Sequence, residues 1–483
     1  MLDLALIRAE PARVEAALAR RGISGEAVAA VLALDAEWAA RFATRESLRV
    51  RRRRASEEVA RLKAAGADSS DLEDLARSVS DQLARVEAEV ADLDRRRLES
   101  LLALPNLPAT DVPNAEPAAA ETPPQWPKPF TPLAHLDLLE MLRLAAPADP
   151  PGPGHGFLVW RGRGARLVRA LVDFMLDLHT GEHGCEEVRA PAVTTRAALT
   201  ASAHLPRLEG KMYRVAEAAA SEPAASEPAA SEPAASEPAA SEPAASEPAA
   251  SEPAASEPAA EAAGHPAALG PRDRDLFLAP RAEPHLANLY AGRTLAAADL
   301  PIRLVAAGPA LRREASAGGK AGRGLLRLHE FDTVELYTFT RPESDAEELD
   351  RAVAAAEAVL VRLQVPHRRR LRPAPRLSHA AAKTVDLDVW APGVGEWLTV
   401  AAISSFTDYQ ARRTETRFRD ERGRVRLVHT IGGAAVALPH LIAAILENGQ
   451  EADGSVRLPA ALAPYLGGAA SLSVSEGHAG ECH

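Results

Sequence analysis

Residues 34–62 read LDAEWAARFATRESLRVRRRRASEEVARL, and residues 72–93 read LEDLARSVSDQLARVEAEVADL. In the first run Leu34, Trp38, Arg41, Arg45, Leu48, Arg52, Ala55, Val59 and Leu62 recur in alternating steps of four and three. That is a heptad seam, although three arginines sit in it. After a break at Gly66-Ala-Asp-Ser-Ser70 the seam resumes with Leu72, Leu75, Val79, Leu83, Val86, Val90 and Leu93. Two runs of similar length across a short Gly/Ser break predict an antiparallel coiled-coil hairpin. Arms of about 30 residues at 1.5 Å per residue reach roughly 45 Å, too far to pack wholly on a globular body. The first arm carries Arg45, Arg49, Arg51, Arg52, Arg53, Arg54, Arg61 and Lys63. The second is acidic, with Asp71, Glu73, Asp74, Asp81, Glu87 and Glu89. Such charges on a coiled coil commonly form a solvated face. Their one-sided placement adds a second reading, an arm that follows a phosphate backbone.

Outward from the hairpin, Pro105 to Pro108 closes a helical unit expected over 1–108. Residues 109–135, rich in Pro, Ala, Thr and acids, read as a linker. A main domain is expected over 136–466, with a flexible polar tail at 467–483. Within it Gly164–His179 predicts an amphipathic helix and Glu187–Val193 a strand. Residues 221–260 are eight copies of Ser-Glu-Pro-Ala-Ala. Proline at every fifth position removes donors and blocks a continuous helix, and no large side chain offers burial. A disordered surface insertion is expected over 214–266. Strand patterns follow at Leu325–Phe331, Thr333–Tyr337, Thr384–Trp390, Glu396–Ile403 and Arg424–His429. Helices are expected at Ser344–Leu363 and Ala443–Asn448. Runs of strands flanked by helices indicate an antiparallel sheet of the α+β class.

At 483 residues, with 47% hydrophobic and 25% charged side chains, the chain has material for a sizeable core. Aromatics are only 4%, so Leu, Val and Ala must fill it. No apolar run approaches the length of a membrane span, and residues 1–21 do not read as a signal peptide. Two cysteines, Cys185 and Cys482, exclude a disulfide framework or a four-thiolate zinc site, so a reducing cytoplasmic setting is expected. Net charge is −11, yet removing the eight repeat glutamates leaves 59 acidic against 56 basic residues. Phosphate-binding glycine loops and paired metal-ligand spacings are missing. The ending Glu481-Cys482-His483 reads as tail, and no metal site is expected.

Several strings in order carry a resemblance. These are Met1-Leu-Asp-Leu4 with Leu6-Ile-Arg8, Pro105-Asn-Leu-Pro108, and Phe174-Met-Leu-Asp-Leu-His179 with Pro191. They continue with Lys383-Thr-Val-Asp-Leu-Asp-Val-Trp390, Asp408-Tyr-Gln-Ala-Arg-Arg413 and Ala444-Ile-Leu-Glu-Asn448. Apart from the repeat and the tail, the chain resembles bacterial-type seryl-tRNA synthetases from end to end. The resemblance implies a class II antiparallel sheet joined to a helical tRNA-binding arm. Arg49, Arg51, Arg52, Arg53, Arg54 and Arg61 would then contact tRNA. It further implies ATP and Mg2+ as cofactors and serine and tRNA as substrates, with neither DNA nor a membrane as partner. A homodimer, or pairing with another synthetase subunit, would form through the segment around Phe174.

By the same resemblance, Arg312 and Glu314 of Leu311-Arg-Arg-Glu314 would serve the α-phosphate. Arg323 would belong to the following loop, and Phe331 would stack on adenine. Glu335 would hold the serine amino group beside Glu283. Other positions depart from the family pattern. A threonine is replaced by Arg281 in the serine pocket, and the magnesium glutamate by Thr399. The string lining the serine site is Ala401-Ala-Ile-Ser-Ser405, with Ser405 at its last position, and the arginine for the γ-phosphate is His440. A hydroxyl is a poor ligand for a hard divalent cation, and imidazole lacks the permanent fork of arginine.

Losing one preorganised charge-stabilising group costs about 10²–10³ in rate. Two or three losses would multiply if independent, though residues acting as a unit are not additive. Arg281 or Arg313 reaching the phosphates would offset the missing arginine. The altered set points to a synthetase-like protein with lost or strongly reduced serine activation that keeps tRNA binding and dimerisation. The alternatives are an active serine–tRNA ligase with a divergent site, an amino-acid ligase with another acceptor, and a decaying duplicate. A complete arginine-bearing arm argues against another acceptor.

Overall fold

The two heptad runs become helices longer than their seams, Glu26–Ala64 (α1, 39 residues) and Ser70–Ala103 (α2, 34 residues). At 1.5 Å per residue α1 spans about 58 Å. The chain reverses at Gly66, whose φ of +65° is open to a residue without a Cβ. Leu48 packs with Val79, Leu83 and Val86 inside the hairpin, and Ala55 is buried. Arg41–Glu89 (3.3 Å), Arg49–Glu87 (2.9 Å) and Lys63–Glu73 (2.9 Å) cross between the helices. The seam is not continuous in α1. Arg41 and Arg52 are exposed, and Arg45 lies over the Phe42 ring at 4.0 Å. A guanidinium leaves the interface where it has water or a ring to meet. At the arm base, buried Asp35 accepts from Arg8 (2.6 and 2.8 Å) and Arg97 (3.0 Å), tying the hairpin to the short helix Leu4–Ala9.

These features come from a computed structural model that describes residues 1–116, 122–148, 152–154, 156–216, 275–314 and 325–473. The repeat at 221–260, Arg323 and residues from 474 onward lie outside the described residues.

The centre is a seven-stranded sheet. Its strands are β1 (Glu186–Glu187), β2 (Ile302–Leu311), β3 (Glu330–Thr340) and β4 (His367–Leu371), then β5 (Lys383–Ala391), β6 (Glu396–Thr407) and β7 (His429–Ala437). The spatial order is β1-β2-β3-β7-β6-β5-β4, antiparallel throughout except for the β1–β2 edge. Side chains alternate between faces. One face, with Val334, Leu336, Leu387, Ala401 and Ile403, is covered by Arg163–Gly181 (α3), Asp345–Arg362 (α4) and Leu438–Gly449 (α5). Leu349, Val353, Ala356 and Leu360 give α4 the spacing of a buried helical stripe. On the other face Leu304, Ala306, Tyr337 and Phe339 meet Tyr409 and the N-terminal helices. Glu335 projects from this second face, which makes it the site face.

Several local expectations are corrected. Leu325–His329 is not a strand, and β3 begins only at Glu330. His329 donates its backbone N–H to Gly156 and its carbonyl accepts from Arg312, so the segment crosses the sheet end. Glu187–Val193 splits into β1 and the separate strand Val193–Thr195, with Pro191 between them lacking a donor. Arg424–His429 divides into a short hairpin strand, Val425–Leu427, and the start of β7. The ends of 109–135 are bound to the body: Ala109 donates to Ala382, Leu133 to Gln450, and Val112 is buried. Within 467–473, Ser471–Leu472 pairs with Val456–Arg457 and buries Leu472, so that stretch is no frayed tail.

Candidate active site

The site face is organised by register. Glu335 on β3 lies opposite Ala434, which lies opposite Ala402, which lies opposite Asp386. These residues therefore share one face, as do Phe331 and Tyr337 on β3 and Ser404 on β6. Two regions lie on this face.

The first is a cleft of about 440 Å³ lined by Lys211, Arg312, Glu314, Arg327, Phe331 and His440, with Leu325, Leu326, Leu328, Ala437 and Pro439. Arg312 follows the end of β2. Its backbone N–H donates to His329 at 2.9 Å, and its guanidinium grips Glu314 at 2.9 Å. Four basic residues around one aromatic ring suit a polyphosphate carrying a flat base. His440 sits in the first turn of α5, but its Nδ1 donates to the Thr399 carbonyl (2.7 Å), and Nε2 lies 3.5 Å from the Leu326 carbonyl. The ring lines the cleft with its nitrogens turned to backbone carbonyls. Arg313 is exposed and not part of the cleft lining.

Thr399 lies beside Asp388 of β5, and its hydroxyl donates to that carboxylate at 2.7 Å. Asp388 also receives Arg368 (3.1 Å) and Arg370 (3.3 Å) and is buried. The one carboxylate next to the Thr399 position is thus neutralised, and Glu314 is engaged by Arg312. Among the described residues no group of three His, Cys, Asp or Glu side chains converges in a way that could hold a metal.

The second region is a buried pocket at the start of the short helix Glu283–Asn288. Glu283 and Glu335 are 5% and 1% exposed. The Glu283 N–H donates to Glu335 at 2.7 Å, and Gln410 donates to Glu283 at 2.9 Å. Gln410 in turn accepts from Tyr337 (2.7 Å) and Thr430 (2.9 Å) and donates to the Ser202 carbonyl (3.1 Å). Arg281 faces both carboxylates, with Nη1 3.4 Å from Glu283 and 3.7 Å from Glu335. Burial pushes the Glu335 carboxyl up to about 7, against the downward pull of Arg281. Burial also pushes the neighbouring His204 down to about 4. Arg281 is committed here, so it does not stand in for an arginine on the phosphates.

The structure brings Arg312, Glu314, Phe331 and His440 to one cleft, and Arg281, Glu283 and Glu335 to one pocket. It does not bring Ser405 to either. Ala402 shares the face of Glu335, so Ser405, three residues on, points to the opposite face. Its hydroxyl donates to Asp345 of α4 at 2.8 and 2.9 Å, and Asp345 also meets His429 at 2.9 Å. Arg323 lies outside the described residues. On the arm, Arg51, Arg52, Arg53 and Arg54 are exposed. Arg49 is paired with Glu87, Arg61 with Glu58, and Arg53 reaches Glu57 only at 3.9 Å. Sequence reasoning missed Lys211, Gln410 and Asp388 as parts of the site. Gln410 and Asp388 stood inside quoted strings, but nothing local says that an amide or a carboxylate there will turn towards Glu283 or Thr399.

Comparison with known proteins agrees with this architecture. Residues 1–108 match the model of the seryl-tRNA synthetase N-terminal domain. Residues 269–449 match that of the tRNA synthetase class II core domain (G, H, P, S and T). The serine–tRNA ligase of Gemmatimonas aurantiaca is 38% identical over 430 residues, covering 87% of this chain and 88% of the relative. That of Pelotomaculum thermopropionicum is 36% identical over 475 residues, covering 97% and 99%. The seryl-tRNA synthetase from Pyrococcus horikoshii complexed with ATP superposes with a TM-score of 0.77 at 28% identity, over 98% of this chain and 99% of that one. Among the described residues no helix is long and apolar enough to cross a membrane. With a coiled-coil arm, a class II antiparallel sheet and relatives matched over nearly its whole length, this chain belongs to the seryl-tRNA synthetase family.

Proposed function

We propose that this protein is a seryl-tRNA synthetase-like protein that binds ATP and tRNA while serine activation is lost or strongly reduced. One observation carries the reading. The residue at the magnesium position, Thr399, gives its hydroxyl to Asp388, and both arginines beside that carboxylate already neutralise it. Adenylate formation needs charge stabilisation on the phosphates, and here the metal ligand is a consumed hydroxyl while His440 is tied to backbone. ATP would rest on Phe331 with its phosphates against Arg312, Lys211 and Arg327. Two copies would pair through α3, and the cytoplasm is the setting this function implies.

Serine-dependent ATP–pyrophosphate exchange tests the reading. Exchange at least about 10⁴-fold below that of a family enzyme with the full site is expected. A rate within tenfold would overturn it and leave the second reading, an active serine–tRNA ligase. That alternative is favoured by the retained Arg312–Glu314 pair and the retained Glu283 and Glu335 carboxylates.

tRNA binding is assigned to the arm. Among the described residues the side chains of Arg51, Arg52 and Arg54 are exposed and make no ion pair or hydrogen bond, so their charge is available to phosphates. Changing Arg51 through Arg54 to glutamate is expected to abolish tRNA retention in a filter-binding assay. Wild-type affinity should fall steeply with salt, because each phosphate contact releases counterion. Unchanged retention by the charge-reversed protein would rule the arm out.

A further inference from the structure

Outside the arm and both pockets, residues 412–426 hold seven arginines against three carboxylates. They supply two strands of a small three-stranded sheet. Arg417–Arg419 is its centre, parallel to Thr294–Ala296 on one side and antiparallel to Val425–Leu427 on the other. Alternation sorts the side chains. Phe418 turns inward and is buried, in the same apolar cluster as Val28, Leu101 and Leu104 at the arm base. Arg417 and Arg419 turn outward, and their cross-strand neighbours Thr294, Ala296 and Val425 bring no carboxylate to that face.

The acids of the adjoining turn are engaged elsewhere. Asp420 meets Arg424 at 2.8 Å and accepts the N–H groups of Arg422 and Arg424, while Glu421 meets Arg341 at 2.7 Å. Arg417 reaches Glu415 only at 3.6 Å, and exposed Arg419 reaches the Gly423 carbonyl at 3.0 Å. Among the described residues the exposed Arg422 side chain makes no ion pair or hydrogen bond. Position gives this charge a use. Arg413 donates to the Leu102 carbonyl at 3.2 Å, in the last turn of α2. The Cα atoms of Arg413 and Arg417 can be at most about 14 Å apart. Arg51 stands about 38 Å along α1 from Glu26. A folded RNA held only at Arg51–Arg54 can pivot there, whereas phosphate contacts at two separated patches fix its direction as well.

We propose that the outward face of this small sheet, with Arg417, Arg419 and Arg422, is a second phosphate-contacting surface, on the body beside the arm base, for the RNA that the arm holds. The inference goes beyond the reading above and rests on its assignment of the arm. The face offers charge but no outward aromatic ring on which a base could stack, so it suits the backbone of a folded RNA and reads shape, not sequence.

The test is filter binding of bulk tRNA to the full chain across a range of salt concentrations. Combining Arg417→Gln, Arg419→Gln and Arg422→Gln is expected to weaken retention at least about tenfold near about 0.1 M salt. The slope of log affinity against log salt should become shallower by about three, one for each lost contact. Arg376→Glu combined with Arg457→Glu removes a comparable charge from exposed sites elsewhere and should change neither quantity. Unchanged ATP affinity reports that each variant is folded. Retention by the glutamine variant equal to wild type overturns the inference. So does an equal loss in the Arg376/Arg457 control, because net charge alone would then explain it. If reversal of Arg51 through Arg54 spares retention while the glutamine variant loses it, the arm assignment fails and the surface on the body stands. Wild type that retains no tRNA overturns both.

Discussion

A triple variant, Arg281→Thr with Thr399→Glu and His440→Arg, is expected to exchange pyrophosphate at least about 10⁴-fold faster than wild type in the presence of serine. Each change addresses a different deficit. Threonine at 281 frees Glu283 and Glu335 for an ammonium group. Glutamate at 399 adds a carboxylate on the cleft face, where Arg368 and Arg370 already stand beside Asp388 and can share the added charge. Arginine at 440 supplies a longer, permanently charged fork in place of a ring whose Nδ1 is spent on the Thr399 carbonyl. The gain should be far from additive. Single variants should each recover little, since adenylate formation needs serine and both phosphate-side groups at once. A triple variant that folds, binds ATP and still shows no exchange would place the deficit elsewhere.

Glu447→Ala is expected to destabilise the fold by about 3–5 kcal/mol. Glu447 lies on α5 and has no solvent exposure. It accepts from the His135 N–H (2.8 Å), His135 Nδ1 (2.7 Å), the Gly393 N–H (2.6 Å) and the Val394 N–H (3.2 Å). Alanine would leave four donors without this acceptor, two on buried His135 and two on the half-buried Gly393 and Val394. Two of them belong to the turn between β5 and β6, where a Cβ on Gly393 would come within 2.1 Å of the Leu133 carbonyl. That turn cannot shift to find other partners. Thermal melts should show a fall in Tm of roughly 6–15 °C. Glu447→Gln keeps the shape and one acceptor oxygen and should lose about half as much. A melt unchanged in Glu447→Ala would mean that water reaches this cluster.

Much of the fold could be read along the chain. The hairpin is written in three- and four-residue steps, and charge placement already paired a basic arm with an acidic one. The strand expected at Thr384–Trp390 lies within the observed Lys383–Ala391. Boundaries were less legible where a segment's hydrogen bonds go to distant partners, as at Leu325–His329. The same limit governed the site. Arg312, Glu314 and Phe331 were indicated by the family resemblance, and the structure sets them in one cleft at the end of β2 and the start of β3. Ser405 was misplaced, because parity along β6 sets which face a side chain takes and a bulge near Val400 shifts it relative to Thr399.

What the sequence by itself determined is the arm, because its heptad period is a property of contiguous residues, and, through the resemblance that its ordered strings carry, the family and the groups that depart from it. Only the tertiary structure decided what the altered groups do. Arg281 meets Glu335 across more than fifty positions, Thr399 finds Asp388 on the next strand, and His440 is tied to backbone. Strand register and burial choose those partners, and a charge goes to whichever partner the low-dielectric interior leaves within reach.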